Sequence, residues 1–281
     1  MVDRSIFRRI FPHAVLWTAI FVIVFPIWIA FVGSTQTLSD ILDAPMSVLP
    51  GSRFFENYGR ALFEGSKSLG ASALVMVKNS TIMALGIAVG KIIISLLAAF
   101  AIVYFRFALR DFCFWTIFIT LMLPVEVRIM PTYKVIADLG MLNSYAGLIL
   151  PMTVSATAVF LFRQFFKSVP REIAEAAAID GAASMDFFAR ILVPMTRTPI
   201  AAMFVIQFIY GWNQYLWPLL ITTQEKYYTL LIGINRMLAV GDSQAEWQII
   251  LATTMLAMIP PVIVVVAMQK QFVSGMTETE K

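Results

Sequence analysis

The chain has 281 residues, of which 59% are hydrophobic and 14% are charged, and its formal net charge is +4. Because soluble domains contain about 25% charged residues, this composition excludes an ordinary soluble protein and predicts an all-α membrane protein that is surrounded by lipid. Excess Lys and Arg are typical of cytoplasmic loops in such proteins, so no nucleic-acid partner is expected. One His and one Cys are too few for the common zinc sites, and no metal centre is predicted.

Six apolar stretches are long enough for a membrane helix, which needs about 20 residues. They are 14–33, 79–103, 112–134, 145–162, 198–222 and 247–269. The fourth is short, and Pro124 and Pro131 interrupt the third, which we expect to be kinked or partly unwound. The polar segment 34–78 can carry a helix or two at the membrane surface. We predict a single transmembrane domain over 1–281.

Lys and Arg are distributed unevenly between the two sides of these spans. Twelve lie on the side that carries both termini and the 163–197 loop, and seven lie on the other side over longer loops. Because Lys and Arg are enriched in cytoplasmic loops, both termini and the 163–197 loop are predicted to be cytoplasmic.

The polar stretch Val169–Pro194 lies between two apolar runs and predicts two short helices. Pro170 suits the first position of a helix, Gly181 is typical of a helix end, and Ser184 can cap a second helix. The expected faces are Ile173, Ala176 and Ala177 on the first helix, and Phe187, Phe188, Ile191 and Leu192 on the second. The pattern fits either a knob that docks into a partner's groove or an amphipathic loop helix on the membrane.

Three charged residues lie inside predicted spans, where a charge is costly and normally has a partner or a task. Lys91 lies near the middle of the second span, and Glu126 and Arg128 lie in the third. Residues two apart on a regular helix do not share a face, so Glu126 and Arg128 cannot simply neutralise each other. Either Glu126 pairs with Lys91 as a structural link, or Lys91 and Arg128 line a path for an anionic solute. Arg128 is the preferred solute contact.

The fifth span carries Asn213 and Gln214 among the aromatic residues Trp212, Tyr215 and Trp217. Such aromatics are typical of the membrane interface. In the alternative interpretation, Asn213 and Gln214 line the solute path and the aromatics shape a gate.

The sequence contains no recognisable catalytic machinery. The segment Gly86-Ile-Ala-Val-Gly90-Lys91 has three residues between its glycines and Ile after its lysine, so it does not match a phosphate-binding loop. Its small residues instead predict close packing of helices. No Ser/His/Asp or Cys/His set can be assembled. The chain is predicted to have no catalytic residues and no cofactor of its own.

The loop resembles the "EAA" loop of ABC importer permeases. Glu175-Ala176-Ala177 is followed after three residues by Gly181, and nine further residues lead to Ile191-x-x-Pro194. The family pattern ends in I-x-L-P, from which Ile191-Leu192-Val193-Pro194 departs mildly. The loop also lies between the fourth and fifth of six spans, as it does in that family.

The resemblance covers almost the whole chain and indicates the maltose-type carbohydrate-uptake class. The segments AFAIVYFRFALRDF, FITLMLPVEVRIMPT, LFRQFF and FIYGWNQYLWPLLI are similar to permeases of sn-glycerol-3-phosphate importers. It implies a type I permease fold with six transmembrane helices in the bacterial inner membrane. It also implies a homologous second permease, two copies of a cytoplasmic ATPase that holds ATP and Mg, and a periplasmic solute-binding protein. The implied coupling residues are Glu175, Ala176, Ala177, Asp180 and Gly181.

Three alternatives to a glycerol-phosphate importer subunit stay open at this point. The solute can be another sugar or polyol of the same class. In a different class, the charges at Lys91, Glu126 and Arg128 would belong to a secondary transporter or channel. Secondary transporters often have broken helices in both halves, whereas only the third span looks broken here. A membrane scaffold or receptor is the third alternative, which charged residues within spans disfavour.

Overall fold

The computed structural model describes residues 3–67, 69–120, 123–239 and 245–277, and its side chains are described outside 3–10, 125–126 and 270–277. Within these ranges the regular structure is helical, which confirms the predicted all-α class. Two 3₁₀ turns, Leu150–Met152 and Glu225–Tyr227, and a π-helical turn, Phe188–Leu192, interrupt the α-helices. The α-helices are α1 Asp3–Ser34, α2 Leu38–Leu42, α3 Phe54–Phe63, α4 Ala73–Tyr104, α5 Arg110–Ile119, α6 Val125–Asp138, α7 Tyr145–Ile149, α8 Ala156–Ser168, α9 Arg171–Ile179, α10 Ser184–Phe187, α11 Val193–Met195, α12 Arg197–Trp212, α13 Leu216–Ile221, α14 Leu230–Leu238 and α15 Trp247–Thr277.

Three of the described helices are long and apolar enough to cross a membrane, and they correspond to the first, second and sixth predicted spans. They are Phe11–Ser34, Ala73–Tyr104 and Trp247–Gln269. Two bent pairs raise the number to five if each pair is one span. They are Tyr145–Met152 with Ala156–Ser168, bent by 50°, and Ser184–Met195 with Arg197–Trp212, bent by 75°.

The remaining predicted spans are interrupted. The third breaks between α5 and α6, where Pro124 caps α6, whereas Pro131 lies inside α6 without ending it. The fourth bends around the 3₁₀ turn Leu150–Met152, and the fifth stops at Trp212 and resumes in α13. The expectation that only the third span is broken is therefore wrong. An apolar run reports total hydrophobicity, and it does not report whether the helix within it is continuous.

The chain divides into two compact units, Met1–Leu74 with Gly233–Met258 and Val75–Ile232 with Ile259–Lys281. The single domain over 1–281 stays a prediction. In the first unit, α2 and α3 are the helices expected in segment 34–78. The Asn57 side chain on α3 donates hydrogen bonds to the carbonyls of Ser34 and Gln36 at 2.9 and 2.8 Å. These bonds satisfy the carbonyl of Ser34, the last residue of α1, and that of Gln36 two residues beyond it.

Glu246, just before α15, closes the same unit. Its carboxylate accepts hydrogen bonds from the Arg60 guanidinium at 2.7 Å, the Ser66 hydroxyl at 3.2 Å and the Lys67 backbone N–H at 2.8 Å. Burial by itself would raise the pKa of Glu246, but these bonds and the charge of Arg60 outweigh burial and hold the pKa below its ordinary value.

Helix α4 is the packing centre of the second unit. A Cβ atom on Gly90 would lie 2.6 Å from the Thr153 side chain, and one on Gly211 of α12 would lie 2.9 Å from the Cα of Ala84. Gly86 meets the Ile149 side chain in the same way, at 2.7 Å. A larger residue would displace a side chain at Gly86 and Gly90 and the Ala84 backbone at Gly211. These close approaches confirm the predicted small-residue packing face around Gly86 and Gly90.

Candidate functional site

The polar loop 169–194 folds as two short helical segments, as predicted. Helix α9 has Pro170 as its N-cap, one position earlier than expected, and ends in a left-handed Gly181 with φ of +78°. The Gly181 N–H donates to the Ala178 carbonyl at 3.1 Å, and the Ala182 N–H donates to the Ala177 carbonyl at 3.0 Å. These two bonds form a Schellman motif, which satisfies the last carbonyls of α9.

The second segment differs from the prediction at its first residue. Ser184 is the first residue of α10 and makes no capping bond, because the cap position is Ala183. The structure also shows where the aromatic face packs, which the sequence left open. The Phe187 ring lies 5.1 Å from that of Tyr104, and the Phe188 ring lies 4.8 Å from that of Phe100. The aromatic face therefore anchors the loop to α4 and leaves outward contacts to α9.

Helix α9 has one buried and one exposed face. Ala177 is buried in the cluster that includes Phe100, Phe166 and Phe187. Among the five residues implied by the family resemblance, Glu175, Ala176, Asp180 and Gly181 are exposed, and Ala177 is 6% exposed. Ile179 is 86% exposed beside them. The outward face of α9 therefore combines an apolar side chain with small and acidic neighbours.

A polar cavity of about 540 Å³ lies elsewhere in the second unit. Helices α4, α6, α8, α12 and α13, with the end of α5 and the turns before α6 and α8, form its walls. Its polar lining consists of Lys91, Arg128, Gln207, Tyr210, Thr120, Thr132, Ser155 and Thr157. The volume falls within the range of small-molecule sites, about 300 to 1,000 Å³.

Lys91 is the buried cation of this cavity. Its side chain is 6% exposed, its Nζ donates to the Gln207 Oε1 at 3.0 Å, and Nζ lies 3.6 Å from the centre of the Tyr210 ring. The amide oxygen and the ring face partly balance the charge without neutralising it. Among the described side chains, no carboxylate pairs with Lys91.

Arg128 lines the same cavity from α6 and is exposed. The structure therefore brings together the two cations that the sequence singled out. Glu126 lies on α6 as well, but its side chain falls outside the described side chains, so its pairing with Lys91 stays a prediction. The roles of Lys91 and Arg128 in a solute path also stay predictions.

Two helices begin at this cavity. The N-cap of α6 is Pro124, and the N-cap of α8 is Ser155, whose hydroxyl accepts from the Ala158 N–H at 3.3 Å. Both cap residues line the cavity. Since a helix N-terminus carries a partial positive charge, both ends add to the field of Lys91 and Arg128. The described lining therefore has a positive field, which favours an anion over a cation.

Asn213 and Gln214 lie outside the lining of the cavity. Asn213 is the exposed C-cap of α12, and the Gln214 amide donates to the carbonyl of Tyr210 at 3.0 Å. Trp217 does line the cavity, and it is almost fully buried with its Nε1 donating to the Gly147 carbonyl at 3.1 Å. Its burial against protein places it within the fold. A solute-path role for Asn213 and Gln214 stays a prediction.

Four polar residues of the lining, Gln207, Tyr210, Ser155 and Thr157, were not predicted as cavity residues from the sequence. Gln207 and Tyr210 are three apart on α12 and so share a face, which the spacing indicates. Ser155 and Thr157 follow Pro151 in an apolar stretch. A proline followed by hydroxyl residues signals a helix that ends and restarts.

Comparisons with known proteins agree with this architecture. Residues 91–278 match the family described as binding-protein-dependent transport system inner membrane component. The chain is 52% identical over 282 residues to the sn-glycerol-3-phosphate transport system permease protein UgpE of Brucella melitensis biotype 1, with 100% of both chains covered. The protein of that name from Salmonella typhi is 53% identical over 281 residues, with the same coverage.

A solved structure gives an independent match of the fold. A chain in the crystal structure of a bacterial ABC transporter involved in the import of the acidic polysaccharide alginate matches with a TM-score of 0.83 and 20% identity. The match covers 97% of this chain and 99% of that chain. At this identity it concerns the fold alone, and it confirms the predicted type I permease architecture.

Proposed function

The chain belongs to the inner-membrane components of binding-protein-dependent transport systems, and we propose that it is the permease subunit of an ABC importer for sn-glycerol-3-phosphate or a related glycerol phosphodiester. The names of relatives that are 52% and 53% identical over the full chain support this solute. Membership of the family disfavours the alternatives of a secondary transporter, a channel or a scaffold.

The structural support for this solute is the cavity at Lys91 and Arg128. A phosphate ester is an anion with several strong hydrogen-bond acceptors. The cavity offers it two cations, two helix N-termini and hydroxyl groups. In this proposal the exposed Arg128 meets the phosphate group first. The buried Lys91, held by Gln207 and Tyr210, then supplies a fixed charge.

The exposed face of α9 is the proposed contact with a cytoplasmic ATPase. Glu175, Ala176, Asp180 and Gly181 would enter a cleft of that subunit, and Ala177 would hold α9 on the permease. Two ATPase copies, which hold ATP and Mg, would act with a homologous second permease. This chain supplies no cofactor chemistry, and both of its termini lie in the cytoplasm of a bacterial cell.

Transport would proceed by alternating access. A loaded periplasmic binding protein docks on the segments 34–78 and 224–246. ATP closes the two ATPase subunits, the loop moves with them, and the permease pair turns from inward-facing to outward-facing. The solute then enters the cavity, and hydrolysis resets the pair.

Arg128→Gln tests the solute assignment, and Lys134→Gln is its matched control. Both residues are exposed on α6, but only Arg128 lines the cavity. A lost hydrogen bond to a charged group costs about 1.5–3 kcal/mol. Uptake of sn-glycerol-3-phosphate into proteoliposomes should therefore fall roughly tenfold or more in Arg128→Gln. Lys134→Gln should keep uptake near the wild-type rate.

Uptake of an uncharged polyol by the same complex shows whether Arg128 binds the phosphate group or only supports the fold. If Arg128→Gln lowers uptake of the polyol as much as that of glycerol phosphate, Arg128 has a structural role. If uptake of glycerol phosphate is unchanged in Arg128→Gln, the cavity does not lie on the solute path.

A further inference from the structure

A second polar cavity, of about 560 Å³, lies where α4 ends, α5 begins and α8 runs into α9. It is separate in position from the proposed solute cavity at Lys91 and Arg128 and shares no lining residue with it. It is rich in cations. They are Arg106, Arg110, Arg163, Lys167 and Arg171.

The carboxylates in this cavity are too few to balance these cations. Asp111 and Glu175 are the two acidic residues of the lining, and the Asp111 carboxylate already lies 3.6 Å from the Nε of Arg110. The described lining therefore carries a net charge of +3. Like charges gathered around one cavity repel each other, and a bound anion relieves that repulsion.

Arg163 gives an independent indication of a ligand. Its guanidinium carbon lies 3.7 Å from the centre of the Phe114 ring, which fixes the side chain against α5. Its Nε is buried and has no hydrogen-bond partner among the described residues, and the residue is only partly buried. Because Arg163 lines the cavity, the accessible part of its guanidinium is free to donate to an acceptor that binds there.

The position of the cavity along the helices selects the kind of anion. The apolar helix α4 ends at Tyr104, and Arg163 precedes Ser168, the end of α8, by five residues. At a rise of 1.5 Å per residue, Arg163 lies about 7–8 Å from the helix end. The polar headgroup layer of a bilayer is about 5–8 Å thick on each side. If the end of α8 marks the membrane surface, the guanidinium lies at the level of lipid phosphates.

Large apolar side chains are exposed next to the cations. Phe107, Leu109 and Phe112 are 42%, 63% and 68% exposed, and they occupy the same short segment as Arg106 and Arg110. Exposed apolar side chains that are contiguous mark a surface that a membrane or a partner covers. A lipid needs both features, because its phosphate binds cations and its acyl chains cover apolar surface.

We propose that this cavity binds the phosphate headgroup of an anionic phospholipid, whose acyl chains lie on Phe107, Leu109 and Phe112. Arg163 donates to the phosphate from below, and Arg106 and Lys167 hold it from the rim. Arg171 and Glu175 of α9 line the same cavity, so the bound lipid also fixes the start of α9. The site needs only that α4 and α8 end at a membrane face, and it does not depend on the identity of the transported solute.

Lipid retention by the purified complex tests this site. The full chain, co-expressed with its partner subunits, is delipidated in detergent, incubated with phosphatidylglycerol or phosphatidylcholine, and analysed by native mass spectrometry. Wild type should retain phosphatidylglycerol and not phosphatidylcholine. Arg163→Gln should bind phosphatidylglycerol about tenfold more weakly. Arg197→Gln is the control, because it removes an exposed Arg that is not part of the lining and should leave retention unchanged.

Each other outcome overturns the proposal. Equal retention of both lipids by wild type, or equal retention by Arg163→Gln, would exclude a headgroup site. Displacement of phosphatidylglycerol by millimolar inorganic phosphate would assign the cavity to a soluble anion. Loss of the ATPase subunit from Arg163→Gln, with lipid retention intact, would make this cavity a protein interface. If Arg163→Gln does not assemble, the exposed pair Arg106→Gln and Lys167→Gln replaces it, with the same expected loss.

Discussion

Gly181→Ala is the sharpest test of the proposed coupling loop, residues 163–197, because the structure isolates a single cause for its effect. Gly181 has a φ of +78°, and a Cβ atom added there would meet no atom within 4 Å. The substitution therefore creates no clash, and its whole cost is the left-handed conformation, about 1–2 kcal/mol. If the loop relieves that strain by shifting the end of α9, ATPase coupling and uptake should fall roughly five- to thirtyfold.

Gly140→Ala is a matched control for this strain. Gly140 ends α6 with a φ of +68°, has equally open space at its Cβ, and forms the same Schellman bonds, from Gly140 to Ala137 and from Met141 to Ile136. Both variants should lower the thermal midpoint of the complex by similar amounts.

Only Gly181→Ala should lower the ATPase rate that the loaded binding protein stimulates in proteoliposomes. Gly181→Asn should recover part of the loss, because Asn tolerates the left-handed region. Equal loss of coupling in Gly181→Ala and Gly140→Ala would refute the assignment, since strain alone would then explain the effect.

Three further predictions concern stability and the solute cavity. Glu246→Gln should remove a pH dependence. Because the pKa of Glu246 is lowered in the folded protein, the stabilisation by its carboxylate is complete above about pH 4.3 and is lost as pH falls through the lowered value. Thermal midpoints of wild type and Glu246→Gln between pH 7 and 3 measure this loss. Gly211→Ala should destabilise by about 1–3 kcal/mol, because the Ala84 backbone cannot yield, whereas Gly59→Ala, with open space, should not lower the thermal midpoint. Lys91→Met should lower glycerol-phosphate uptake at least about tenfold with assembly intact, as measured by co-purification and transport.

The coupling loop shows what sequence reasoning can reach. Gly181 was predictable as a helix end, because glycine is the residue that adopts a left-handed C′ position without strain. The direction of Phe187 and Phe188 was not predictable. Spacing shows that a helix has an apolar face, but it does not show whether that face packs on the same chain or on a partner. The π-helical turn Phe188–Leu192 also shifts the face in a way that a regular period does not describe.

The proposed solute cavity could be predicted from the sequence only in part. Lys91 and Arg128 stood out, because charges within apolar runs are rare. Their meeting with Gln207 and Tyr210 depends on which helices are neighbours. Contacts between helices far apart in sequence, such as the one between Gly211 and α4, decide this, and one sequence does not contain the pairing. The breaks in the fourth and fifth spans were missed for a related reason, since a hydropathy window averages across a break.

Helix α8 joins the two ends of the proposed mechanism. Its N-cap Ser155 lines the solute cavity, and its 13 residues span about 20 Å to the short link with α9. Phe162 and Phe166 are almost fully buried, in the same cluster as Ala177 of α9 and Phe187. A close-packed cluster resists partial opening, because every displaced side chain loses contacts without new ones forming. A displacement of α9 must therefore either open this cluster or move the wall of the solute cavity with it, and moving α8 as a body preserves more contacts.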